Sequence, residues 1–266
     1  MWSLTWPPLQ QRSMRSESWV HRMAKKIAIM GAMVEEVDPF LGTDEHEPLL
    51  KYFKKHNDVT YGNNLYHEAK YKELDIVLGY SKIGKVNSAL TAATMIEHFG
   101  CDMLLFTGVA GAISPDLKIG DLIVATQLCQ HDLDITAFGH PHGYVPEGKV
   151  YVEPSRELIH IAKRVADEKG INLKKGVIAT GDQFIADSER KEWIAKTFDA
   201  DALEMEGASV AVVCDALNVP FFVLRAISDA ADTDATFDFD EFLKHSSQVS
   251  SSFIMAMLEK LVAEQA

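Results

Sequence analysis

Three acidic side chains stand where apolar segments of this chain stop. They are Glu36 in Gly31-Ala-Met33-Val-Glu35-Glu36, Glu206 in Glu204-Met205-Glu206-Gly207, and Asp229 in Arg225-Ala-Ile-Ser228-Asp229-Ala-Ala-Asp232. Carboxyl groups that converge on one cleft suit the cleavage of an acetal-like bond. One, kept protonated, donates to the leaving group. Another, kept ionised, orders water and stabilises an oxocarbenium-like cation. Each acid also has a structural explanation. Glu35, Glu36 and Glu206 open expected helices, where acids favour the positive dipole end, and Asp229 and Asp232 suit a turn. The case for chemistry is their coincidence at expected strand and helix ends. Adjacent helical residues point about 100° apart, so only one of Glu35 and Glu36 faces a given pocket.

Other segments carry weaker signals. Thr107-Gly108-Val109-Ala110-Gly111-Ala112 closes an apolar run with two glycines. Such glycines let backbone approach a sugar or phosphate, or form a tight turn. His131, Asp132, Asp134, His140 and His142 cluster in one loop without the HExxH spacing of a zinc site, and no metal is expected. Phe138 and Pro146 are apolar residues on the same loop and suggest an interface or a lid. Phe239 precedes the expected terminal helix and suits either a hydrophobic staple or a binding role.

These residues need elements to position them. Lys26–Gly31, Met103–Val109, Leu122–Leu128, Gly176–Thr180 and Phe221–Ile227 read as strands, mostly apolar throughout. Thr60–Ala69 and Leu74–Tyr80 read as a hairpin. Helices are expected at Glu35–Leu41, Gly84–Phe99, Ser155–Lys169 with Ser155 as N-cap, Ser188–Phe198, Gly207–Leu217 and Asp240–Val262. Apolar strands alternating with helices imply an α/β fold whose mixed sheet is covered on both faces. Ligands in such folds sit beyond the carboxyl ends of strands, where the three acids lie.

Composition excludes several function classes. The 266 residues are 47% hydrophobic and 24% charged, as in an ordinary globular chain. No apolar run approaches the ~20 residues of a membrane span. The net charge of −13 repels phosphate backbones, so no nucleic acid is expected as partner. Cys101, Cys129 and Cys214 are scattered and odd in number, which fits a reducing cytoplasm. Residues 1–24 hold three tryptophans, two prolines and no periodic pattern. They are expected to be an extension outside a catalytic domain spanning 25–266.

Taken together, the strings Gly31-Ala-Met33-x-Glu-Glu36, Ser81-Lys-Ile83-Gly-Lys-Val86, Gly108-Val-Ala-Gly111, His131-Asp-x-Asp-x-Thr-Ala-Phe138, Gly181-Asp-x-Phe184, Glu204-Met-Glu-Gly207 and Arg225-Ala-Ile-Ser-Asp229 resemble the 5′-methylthioadenosine/S-adenosylhomocysteine nucleosidases. The match runs from Lys25 to the C-terminus. Gly181-Asp-Gln-Phe184 and Ser188-Glu-Arg-Lys-Glu192 look closest to the branch that also hydrolyses 6-amino-6-deoxyfutalosine in menaquinone synthesis.

The resemblance implies a single-domain, three-layer nucleoside phosphorylase-type fold, a homodimer and no cofactor. It implies hydrolysis of the N-glycosidic bond of an adenine nucleoside, in the service of methionine salvage. Asp229 would protonate N7 of adenine and Glu36 would activate water. Glu206 would bind the ribose hydroxyls, Phe184 would stack on the base, and the Ile185 backbone would bond its edge. Met33 and Met205 would pack on the sugar, and Ser228 would support Asp229. Phe239 would line the 5′ pocket, with Phe138 and Pro146 reaching in from the second subunit. Ile83, Val109, Ala110, Gly111 and Arg225 complete the implied substrate-binding set. Val109 departs from the pattern, since many members carry serine there.

The alternative is a phosphate-dependent purine nucleoside phosphorylase on the same fold. That chemistry wants cationic groups beside the sugar, where this chain offers Glu35-Glu36.

Overall fold

The computed structural model describes residues 25–41, 53–231 and 235–265. The extension at 1–24 and Asp232 lie outside the described residues. In chain order the elements are β1 (Lys26–Gly31), α1 (Val34–Leu41), β2 (Lys54–Tyr61), β3 (Asn64–Tyr71), β4 (Leu74–Tyr80), α2 (Lys85–Glu97), β5 (Met103–Phe106), β6 (Val109–Ala112) and β7 (Leu122–Gln130). There follow α3 (Arg156–Lys169), β8 (Leu173–Thr180), α4 (Ser188–Phe198), β9 (Ala202–Glu204), α5 (Gly207–Leu217), β10 (Phe221–Asp229) and α6 (Ala235–Gln265).

The strands form one mixed sheet in the order β2-β3-β4-β1-β5-β10-β6-β9-β8-β7. Because β7 pairs back onto β10, strands β10, β6, β9, β8 and β7 close into a ring, and the other five make an open wing. The apolar strands have the cause expected from sequence. Ile27 and Ile29 of β1, with Phe222 and Leu224 of β10, join a core under α1, α3 and α6. Ala28, Met30, Phe221 and Val223 point the other way, into a core under α2 and α5. A sheet buried on both faces has no polar side to alternate with. The result is the three-layer α/β fold.

Three strand assignments need correction. The expected strand Met103–Val109 is two strands, β5 and β6, joined through Thr107-Gly108. At that joint β10 changes partner: Phe221–Val223 pair with β5, and Ala226 onwards pair with β6. The stretch Thr60–Ala69 is likewise broken. Gly62 and Asn63 both have positive φ (56° and 64°) and make a hairpin turn, so β2 is a separate strand. The three-residue β9 was not foreseen; it is too short for any period to show. Finally, α6 begins at Ala235 rather than Asp240.

Candidate active site

The β1–α1 junction builds the first acid. Glu36 lies in the first turn of α1 and its carboxylate folds back over the strand end. It accepts the backbone N–H groups of Ala32 (2.5 Å) and Met33 (3.0 Å), and that of Val109 on β6 (2.9 Å). Glu35, beside it, is exposed while Glu36 is buried, as a 100° helical step requires. Burial pushes the Glu36 carboxyl up from the ordinary range; Arg225 and the three N–H bonds oppose this without reversing it.

The second acid stands at the end of β10. The register of β10 on β6 slips by one residue: Ile227 faces Ala110, but Asp229 faces Gly111. The extra residue is Ser228. A bulge re-aims the next side chain, and here that side chain is Asp229. Ser228 Oγ donates to Asp229 Oδ2 (2.9 Å), and the Ala231 N–H donates to Oδ1 (2.8 Å).

The glycines of Gly108-Val-Ala-Gly111 make room for these two carboxyls. A Cβ on Gly108 would lie 2.4 Å from Glu36 Oε1, and one on Gly111 would lie 2.6 Å from Asp229 Oδ1. Neither distance is compatible with a side chain. The short strand β6 thus carries one acid against each end, and glycine is what makes room.

Glu206 is the third. The sequence allows it to be a helix cap, but it makes no side-chain cap bond to α5. Its Oε1 instead accepts the N–H of Gly84, 2.9 Å away, a residue whose φ of 100° suits glycine. The capping falls to Glu204, whose Oε2 accepts from Glu206 N (3.1 Å) and Gly207 N (2.7 Å). Thr180 Oγ1 donates to the other oxygen of Glu204. Burial first, then the charges of Glu204 and Glu36, push Glu206 up to about 8.

Arg225 departs from its expected place. It is 1% exposed and lies behind the cleft rather than on its surface. Its Nη2 donates to Glu204 Oε2 at 2.7 Å, and its guanidinium sits 4.0 Å from the centre of the Phe106 ring. The guanidinium is thus engaged in a buried ion pair and stands outside the described lining of the cleft.

A cleft of about 290 Å³ joins these parts, at the lower end of small-molecule pockets. Its lining includes Met33, Glu36, Ile83, Val109, Ala110, Gly111, Phe184, Ile185, Met205, Glu206, Ser228, Asp229 and Phe239, all expected from sequence. Phe184 and Phe239 meet edge to face at the rim, ring centres 5.7 Å apart. The sequence reading missed Ala32, Gln183, Leu203 and Glu204. Gln183 and Glu204 sat inside quoted motifs, and only position tells which letters of a motif face inward. Phe138 and Pro146 do not line the cleft within one chain; both are exposed, Phe138 at 82%. The histidine loop is otherwise engaged: Lys85 Nζ holds Asp132 at 2.7 Å, and His131 is buried. Among the described residues, no three His, Cys, Asp or Glu side chains gather as a metal cluster.

Known proteins match this geometry along nearly the whole chain. The family description "Phosphorylase superfamily" matches residues 26–260. An aminodeoxyfutalosine nucleosidase of Campylobacter jejuni is 54% identical over 236 residues, covering 89% of this chain and 99% of the relative. A 5′-methylthioadenosine/S-adenosylhomocysteine nucleosidase of Actinobacillus succinogenes is 36% identical over 239 residues, 89% of this chain and 99% of the relative. Among solved structures, the futalosine hydrolase of Helicobacter pylori superposes with a TM-score of 0.85 at 48% identity, covering 89% of this chain and 98% of that one. The chain belongs to the phosphorylase superfamily and, within it, to the methylthioadenosine/S-adenosylhomocysteine and aminodeoxyfutalosine nucleosidases.

Proposed function

We propose that this chain hydrolyses the N-glycosidic bond of 5′-substituted adenine nucleosides (methylthioadenosine, S-adenosylhomocysteine and aminodeoxyfutalosine). Adenine is released by Asp229, which protonates N7, and by water that Glu36 activates. The observation that carries this reading is that both carboxyls line one cleft from opposite ends of β6. Roughly 7–10 Å of extended strand separates the two positions they meet, which leaves room for a sugar and a water between acid and base. Adenine leaves poorly as an anion, so protonation of its ring is the natural help. The net upward push on Glu36 brings a carboxylate toward the pH at which it works as a base.

The remaining roles follow the shape of the cleft. Glu206, whose Oε1 accepts the Gly84 N–H, binds the ribose hydroxyls. Phe184 stacks on the base, the Ile185 backbone bonds its edge, Met33 and Met205 pack the sugar, and Phe239 lines the 5′ pocket. Soft apolar groups hold a thioalkyl tail and exclude bulk water.

Hydrolysis is favoured over phosphorolysis by the first loop. Backbone N–H groups at a helix start are where a phosphate would bind. Here Glu36 takes those of Ala32 and Met33, and the described lining of the cleft holds no Lys or Arg. The test is adenine release from methylthioadenosine, S-adenosylhomocysteine, 5′-deoxyadenosine and aminodeoxyfutalosine, with and without phosphate. Release without phosphate is expected, and ribose-1-phosphate formation would overturn the assignment.

The working form is a homodimer. Val86 and Leu90 on α2 are 79% and 57% exposed, and Phe138 adds to the uncovered apolar surface. A partner there would bring its own Phe138 and Pro146 to the cleft mouth. Sedimentation should give twice the chain mass. A cytoplasmic location suits three buried free thiols that burial pushes up to about 12. The catalytic unit spans 25–266.

A further inference from the structure

Lys191 lies in the first turn of α4, outside the cleft and outside every role assigned above. Its Nζ donates to the carbonyl oxygen of Ala230 at 2.6 Å. That carbonyl belongs to the peptide whose N–H, on Ala231, donates to Asp229 Oδ1 at 2.8 Å. One amide therefore joins a cation to the carboxyl at the end of β10. An amide whose oxygen rests on an ammonium group is polarised, and its N–H becomes the stronger donor.

The peptide also needs holding. Ala231 is fully buried at φ 49°, a left-handed conformation that alanine rarely adopts. It is confined from the other side as well, since a Cβ on Gly111 would meet Ala231 Cβ at 3.0 Å. The two bonds through this peptide, one to Lys191 and one to Asp229, keep it turned. Lys191 in turn is placed by the start of its helix: its own N–H bonds to Asp187 O at 2.9 Å, and Asp187 caps α4 through Arg190 N at 2.7 Å. The neighbouring cation, Arg190, faces Trp193 at 4.0 Å and leaves Ala230 to Lys191.

We propose that Lys191 is a positioning residue for the catalytic acid, acting through the Ala230–Ala231 peptide to fix the orientation of the Asp229 carboxyl. The inference rests on the reading of Asp229 as proton donor. It makes α4 part of the acid's support, although α4 contributes no side chain to the cleft lining.

The test is steady-state hydrolysis of 5′-methylthioadenosine by the full chain carrying K191M, K191Q or K191R, each checked by thermal melting. K191M should lower kcat about 10- to 100-fold with KM within about twofold, because a displaced donor harms the reacting geometry more than ground-state binding. K191R should recover most of the loss. A folded K191M with kcat within about twofold of the parent overturns the inference. So does a loss carried by KM alone, or an equal loss in K191M and K191R. If K191M does not fold, K191Q carries the same expectation and the same limits. If none of the three folds, the residue is structural and the inference is overturned. Asp229→Asn, assayed alongside, separates two failures. An active Asp229→Asn sinks the reading of Asp229, whereas an inactive one beside an unaffected K191M sinks only the role of Lys191.

Discussion

Glu36 and Asp229 press against the same short stretch, Gly108–Gly111, each over a glycine, yet they are held by different means. Glu36 is gripped by three backbone N–H groups from a strand end, a helix start and β6. Backbone donors of packed elements move little, so the carboxylate is fixed as firmly as the sheet. Asp229 hangs from a bulge, with one side-chain hydroxyl and one N–H from a left-handed turn. Its support is built from side chains and a loop.

The sharpest way to break this comparison is to remove the titrating oxygen on either side. Asp229→Asn and Glu36→Gln should each lower kcat about 10²- to 10⁴-fold, with nucleoside binding still measurable by calorimetry. A variant of either kind that keeps full turnover removes that residue from the chemistry. Next come the glycines. Gly108→Ala should cost more activity than Gly111→Ala, because its methyl falls closer to the carboxylate it meets and three backbone N–H groups hold that carboxylate in place. Melting should show about 1–3 kcal/mol of overpacking cost for Gly108→Ala; equal kcat losses at the two sites would remove the distinction.

Ser228→Ala sharpens the contrast at smaller scale. It removes a side-chain donor from Asp229, and about a tenfold fall in kcat at unchanged KM is expected from steady-state assays. Glu36 takes its bonds from backbone N–H groups among the described residues.

The smallest expected effect is on stability against pH. Glu206 has its pKa raised to about 8 in the fold, from 4.5. Between those values the folded chain holds a proton that the unfolded chain has released. Its contribution to stability is therefore present below about 4.5 and is lost as pH rises toward 8. Glu206→Gln should flatten the fall of melting temperature over that window. An unchanged slope would mean that the carboxyl is not desolvated in the fold.

Much of the fold was legible in the chain. Runs such as Ile27–Met30 and Phe221–Leu224 are apolar at every position, which forces burial on both faces and hence a covered sheet. Ser155 and the amphipathic segment after it mark α3, and Ser155 Oγ does accept the Leu158 N–H at 3.3 Å. The hairpin break at Gly62-Asn63 was written in turn residues but hidden inside an alternating stretch. The brief β9 carried no period to find. At the site, Glu36, Glu206 and Asp229 stood out because acids at the ends of apolar runs are conspicuous. Arg225 was misplaced because its letter says cation and nothing in the sequence says that Glu204 draws it into a buried ion pair.

The sequence by itself determined which elements form and which acids lie at their ends, because hydrophobic period and charge are local properties of the chain. Only the tertiary structure decided which way those acids point. That choice came from contacts between residues far apart in sequence: a Val109 N–H for Glu36, a one-residue slip of β10 on β6 for Asp229, and an arginine sealed against Glu204. Register and burial are pairwise, long-range quantities, and they exist only once the sheet has closed.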